Sequence, residues 1–116
     1  MPELKYWKNK AESYYINHPT QSFAIIMINE VGDLMINSDW GILNNAWRQA
    51  NPDFKTFLAG LDEGYWKQKM SYNLNNMRFP KKEVKRTVDN VWPIFVVFQD
   101  LLKRELAGED LPFKSI

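Results

Sequence analysis

Between Ser22 and Trp47 the chain runs through apolar and alternating positions that two glycine turns cut into successive strands, the pattern of a β-meander. Phe23-Ala24-Ile25-Ile26-Met27-Ile28 is continuously apolar, so Ser22 to Asn29 predicts a central strand covered on both sides. Val31-Gly32 follows where a tight hairpin needs a positive φ, and Gly32 supplies it without steric cost. Leu34 and Ile36 then alternate with Met35 and Asn37 in a returning strand, which ends at the turn Ser38-Asp39-Trp40-Gly41. Residues 42–48 give a further strand carrying Trp47, although Asn44-Asn45 is a poor strand pair. Upstream, Ser13-Tyr14-Tyr15-Ile16-Asn17 reads as a strand and His18-Pro19-Thr20-Gln21 as the turn after it. Residues 3–12 fit a short helix or an extended arm equally well.

The period changes after Asn51-Pro52-Asp53. Phe54, Phe57, Leu58 and Leu61 have helical spacing, with Pro52 or Asp53 as the start. Gly60 and Gly64 bracket a break at Asp62, a cap for a second helix from Glu63 to about Asn75 that buries Trp66, Met70 and Leu74. Asn73, Asn75 and Asn76 mark a loop, and Pro80 opens the longest helical segment. Val84, Val88, Val91, Phe95, Phe98, Leu102 and Leu106 step by three and four residues through it. Pro93 interrupts that stripe, and an interior proline removes a backbone bond at a cost of about 3 kcal/mol. The helix is therefore expected to kink or divide there, with Trp92 at the bend. The fold class that results is α+β in a single domain, residues 1–116. A three- or four-stranded antiparallel meander, about residues 13 to 48, lies under two or three helices between 53 and 107.

Composition narrows the chemistry. A chain of 116 residues with 7 Phe, 5 Tyr and 5 Trp can build one aromatic-rich core, so its lack of cysteine leaves no structural gap. Zero Cys excludes a disulfide framework, a thiolate metal site and a cysteine nucleophile, and suits a reducing compartment. The net charge of +1 supplies no whole-molecule field toward nucleic acid or membrane, so any such binding must be local. No apolar run approaches the ~20 residues of a membrane span, and Met1-Pro2-Glu3-Leu4-Lys5 lacks the layout of a signal peptide. A soluble protein of the cytoplasm is expected.

No catalytic or cofactor signature stands out. His18 is the single imidazole, sits in a turn, and has no histidine three or four residues away to share a metal. Asn37-Ser38-Asp39-Trp40-Gly41 departs from calcium-loop spacing, and the five glycines form no phosphate loop. Asp33, Asp39, Asp62 and Glu63 would serve acid and base chemistry only if folding gathered them, and each already has a local turn or cap role. No cofactor, metal or catalytic residue is therefore assigned.

Two features remain as partner-binding candidates. Lys81, Lys82, Lys85 and Arg86 open the last helix, where like charges four apart cost about 0.2 to 0.5 kcal/mol per pair and oppose the helix dipole. None of the four lies on the apolar stripe, so they predict one exposed basic patch, with Asp89 placed to pair with Lys85. The other feature is Trp40 beside Asp39 at a hairpin turn, either an interface anchor or a ring folded back on the core.

The stretch Gly32-Asp33-Leu34-Met35-Ile36-Asn37-Ser38-Asp39-Trp40-Gly41, then Trp47, then Phe57-Leu58-Ala59-Gly60-Leu61-Asp62-Glu63-Gly64-Tyr65-Trp66 resembles small phage and prophage accessory proteins. The likeness covers about a third of the chain, in turn, strand and cap motifs. It implies a phage context, in which small cysteine-free domains act as inhibitors of host machinery, anti-CRISPR proteins among them. The expectation is a non-enzymatic protein that occludes a host nuclease or defence complex. The alternative is a nucleic-acid-binding accessory protein that sets Lys81, Lys82, Lys85 and Arg86 on phosphates.

Overall fold

The computed structural model describes residues 3–48 and 53–114, so Pro52 lies outside the described residues. Four strands, β1 (Ala11–His18), β2 (Ser22–Asn29), β3 (Asp33–Ser38) and β4 (Gly41–Ala46), precede three helices, α1 (Phe54–Ala59), α2 (Glu63–Asn76) and α3 (Lys81–Leu106). The sheet is antiparallel in the order β1-β2-β3-β4, an α+β meander with β1 and β4 at its edges. Residues 3–10 form no helix and run as an exposed arm into β1, which takes in Ala11 and Glu12.

All three helices lie on one side of the sheet: α3 packs on β1 and β2, α2 on β4, and α1 on α3. Burial therefore alternates along the strands. Ala24, Ile26 and Ile28 are buried beneath the helices while Phe23, Ile25 and Met27 remain half-buried on the other face. This corrects the expectation that β2 is covered on both sides, because an unbroken apolar run marks a central strand without supplying a second layer. The strand carrying Trp47 is also shorter than its pattern, since β4 stops at Ala46. Trp47 instead turns its ring onto Phe54 and Phe57 of α1.

Side-chain caps set two of the helix starts. Asp53 Oδ1 accepts the Thr56 amide at 3.2 Å, and Asp62 Oδ1 accepts the Tyr65 amide at 2.8 Å. The three asparagines read as a loop do not form one: α2 continues through Asn73, Asn75 and Asn76, with Asn73 Nδ2 donating to Asn45 of β4 at 2.8 Å. That tertiary bond offsets their low helix propensity. Helix α3 does not divide at Pro93 but runs through it, with Val84, Val88, Val91, Phe95, Phe98 and Leu102 buried. The buried stripe ends there, since Leu106 is 46% exposed. Trp66, Trp92, Phe95 and Phe98 form a chain of ring contacts at the centre, with centroids 5.1 to 5.9 Å apart. Gln99 closes the core by donating to the carbonyls of Leu58 and Leu61, at and just beyond the end of α1.

Candidate functional site: the turn end of the sheet and the basic helix

Two turns meet at one end of the sheet. In the β1–β2 turn, His18 Nδ1 accepts the amides of Thr20 and Gln21, both at 3.2 Å, so that ring nitrogen is a turn acceptor. Ser22 follows at a φ of 66°, an uncommon value for a residue with a side chain, and its hydroxyl donates to Asp39 in the β3–β4 turn. Trp40 Nε1 returns the link by donating to the Gln21 carbonyl at 3.0 Å. Asp39 and Trp40 thus staple one hairpin turn to the other. The Trp40 ring is held in place yet remains 36% exposed, which makes it neither a fully buried core ring nor a free anchor.

The same turn docks onto α3. Thr87 Oγ1 donates to the Trp40 carbonyl at 3.3 Å, and a Cβ on Gly41 would sit 3.4 Å from Thr87 Cγ2. Thr87 directly follows Arg86, so folding brings together the aromatic turn and the basic helix start, which lie over forty residues apart in sequence. All four cations are exposed, as their spacing predicts. At 3.6 residues per turn they form two adjacent rows on α3. Lys81 and Lys85 border a shallow depression of about 280 Å³ shared with Lys67, Ser71 and Asn75 of α2, whereas Lys82 and Arg86 do not line it.

Asp89 neutralises part of this charge. It bonds Lys85 at 2.5 Å and Lys67 at 3.0 Å, and those hydrogen bonds, Lys85 first, hold its carboxyl below the usual carboxylate range. Among the described residues, Lys81, Lys82 and Arg86 have no carboxylate within 4.0 Å.

The four carboxylates considered for acid and base chemistry each have a partner of their own, Ser22 in the case of Asp39. Asp33 pairs with Arg48 at 2.6 Å and takes a bond from Asn29, and sits at the opposite end of β3 from Asp39. Asp62 caps α2, and Glu63 pairs with Lys67 at 2.8 Å. No group of three or more His, Cys, Asp or Glu among the described residues could hold a metal ion.

A half-buried polar cluster went unforeseen. Tyr14 donates to Glu105 Oε1 at 2.5 Å, and Lys55 Nζ reaches Glu105 at 2.8 Å and Glu12 at 3.0 Å, tying β1, α1 and α3 together. Burial opposes the charge of Lys55, but the bonds to Glu105 and Glu12 outweigh it and raise its pKa. Burial and the bond to Glu105 push the Tyr14 phenol up. The signal was present in the strand: Glu12, Tyr14 and Ile16 share the face turned to the helices, and a carboxylate there requires a cation. Glu12 and Lys55 also edge an open groove of about 970 Å³ whose other walls include Trp7 and Phe113.

No curated protein and no solved structure matches the chain. A phage family, Phage_phiTE_072, does match, over residues 5–97, a span that includes the whole sheet, α1, α2, Trp40 and all four cations of the α3 start. Glu105 lies beyond it. The chain belongs to that phage family.

Proposed function

We propose that this is a non-enzymatic interaction protein, a phage-encoded inhibitor that binds a host nuclease or defence complex of the CRISPR-Cas type through Trp40 and the start of α3. The observation that carries this reading is the seating of the Trp40 turn on Thr87, which ties a partly exposed indole to the helix that begins with the basic patch. Such an indole is a low-entropy anchor, and cations around it form a charged rim. The sign of that rim selects the partner. Three unpaired cations are wrong for mimicking nucleic acid inside a nuclease channel and right for an acidic protein surface beside it. Asp39 belongs to the site as the residue that orients the turn, and action on such a complex places the protein in the host cytoplasm.

The second reading, a nucleic-acid-binding accessory protein, rests on the same unpaired Lys81, Lys82 and Arg86, which can accept phosphates without first breaking an ion pair. Affinity capture from the phage host, followed by a salt titration of the captured complex, separates the two. An interface centred on Trp40 with a charged rim loses affinity with salt less steeply than phosphate binding, which releases the counterions condensed on nucleic acid. Replacing Lys81, Lys82, Lys85 and Arg86 together by Gln should weaken either complex. Unchanged binding to both protein and nucleic acid removes the patch from the mechanism, and unchanged binding by Trp40→Ala removes the anchor.

A further inference from the structure

Charge is unevenly divided along this near-neutral chain. Between Tyr65 and Arg86 lie seven of its fifteen Lys and Arg residues, against Glu83 alone of its fourteen Asp and Glu residues. That stretch takes in most of α2, the connection 77–80 and the first turns of α3, so the surplus gathers at one elbow of the fold. Ion pairing removes little of it. Lys67 and Lys85 are held by Glu63 and Asp89, whereas Lys69, Arg78, Lys81, Lys82 and Arg86 have no carboxylate partner among the described residues.

Two uncovered rings sit among these cations. The elbow stands clear of the core, with every residue from Asn75 to Glu83 exposed. Tyr72 is 64% exposed on the side of α2 away from the buried Trp66, Met70 and Leu74. Phe79, 49% exposed, precedes Pro80, a position steered to extended backbone, so its ring joins neither helix stripe.

From this we infer that the α2–α3 elbow binds single-stranded nucleic acid, with Tyr72 and Phe79 as stacking faces and Arg78, Lys81 and Lys82 on the phosphates. The inference rests on the second reading, a nucleic-acid-binding accessory protein, and names its substrate class. The cations select a polyanion and the rings select among polyanions. A folded acidic protein answers the cations with carboxylates but offers no repeated flat face. A duplex keeps its base faces inside the stack. A single strand presents a phosphate and an accessible base at each nucleotide, so both kinds of side chain work along one track. Every base has a π-face, so little sequence preference is expected. Five unpaired cations set a slope of log affinity against log salt no steeper than about −3.5.

The test is fluorescence anisotropy of the full chain with a labelled mixed-sequence DNA strand of about 15 nucleotides, the RNA of the same sequence and the matching DNA duplex. Both single strands should bind more tightly than the duplex, and the tighter of the two identifies the natural partner. Tyr72→Ala and Phe79→Ala should each weaken single-strand binding by ~5-fold or more, with the circular dichroism of the wild type retained. Tyr72→Phe keeps the ring and should bind as the wild type does. Tyr15→Ala, which removes an exposed ring from the sheet instead, should leave binding unchanged. Replacing Arg78 and Lys81 by Gln should flatten the salt slope by about 1.4. Equal affinity for duplex and single strand, or single-strand binding that both ring variants leave intact, overturns the inference while the second reading stands. Absence of binding to all three probes overturns both, and a captured host protein lost on Phe79→Ala would then assign the elbow to that partner.

Discussion

The amide of Trp47 donates to the carbonyl of Gly32 at 2.8 Å, so the residue that leaves β4 clamps the hairpin between β2 and β3. Gly32 holds a φ of 90°, and a Cβ there would come within 2.8 Å of the Trp47 carbonyl carbon. Two constraints therefore coincide at one position, a left-handed backbone and a close approach of main chain.

Gly32→Val must violate both. The expected loss is at least about 2 kcal/mol, because a β-branched side chain at positive φ is strained even before the overlap with Trp47 is relieved. Urea denaturation should show a lowered midpoint. An unchanged midpoint would refute the clamp.

Glu105 is the hinge of the half-buried cluster. Burial alone would raise its pKa, but the bonds from Lys55 and Tyr14 outweigh burial and bring it below 4.5. A carboxylate depressed in the folded state contributes stability that is present above its unfolded pKa and lost as pH falls through the folded one. Stability should therefore decline as pH drops from about 4.5. Glu105→Gln should cost about 1 to 3 kcal/mol at neutral pH and flatten that decline, since Lys55 keeps only Glu12. Parallel acid titrations of the two proteins, followed by near-ultraviolet circular dichroism, measure the difference. Identical acid limbs would show that the cluster does not set the pH dependence.

At the start of α3, Lys82 faces the positive end of the helix dipole and lies one turn from Arg86. Lys82→Glu removes both unfavourable interactions and should stabilise the protein by roughly 0.3 to 1 kcal/mol. The same change should weaken the proposed partner complex. Thermal unfolding and binding measured on one preparation should thus move in opposite directions, and a variant that loses stability would refute the electrostatic account of this turn.

Pro93 lacks the N–H that would bond the Asp89 carbonyl in a regular helix. Pro93→Ala restores that donor at a half-buried position and should raise the melting temperature, by an amount corresponding to about 1 kcal/mol once lost packing and the freer unfolded chain are included. Amide exchange at residue 93 of the variant reports the new bond directly. A fast-exchanging amide there would mean that the helix stays open at this turn.

Local rules were enough for the elements. The alternation at Leu34 and Ile36, the glycine at the hairpin, the aspartates before α1 and α2, and the three- and four-residue steps of α3 each act within a few residues of chain, so their consequences can be read in order along it. The exposure of Lys81, Lys82, Lys85 and Arg86 was legible for the same reason, since helical spacing alone separates them from the stripe of Val84 and Val88.

Tertiary structure decided what lies against what. Continuous apolarity in β2 does not reveal how many layers cover a sheet; only the placement of all three helices on one side leaves Ile25 and Met27 facing outward. Asparagine propensity marks a loop, but Asn73 stays helical because Asn45, distant in sequence, takes its side-chain bond. The meeting of Trp40 with Thr87, and of Lys55 with both Glu12 and Glu105, likewise depends on the turn from sheet to helices. A sequence states the preferences of each residue, whereas contacts across forty or ninety residues exist only after chain entropy has been overcome by burial of the common core.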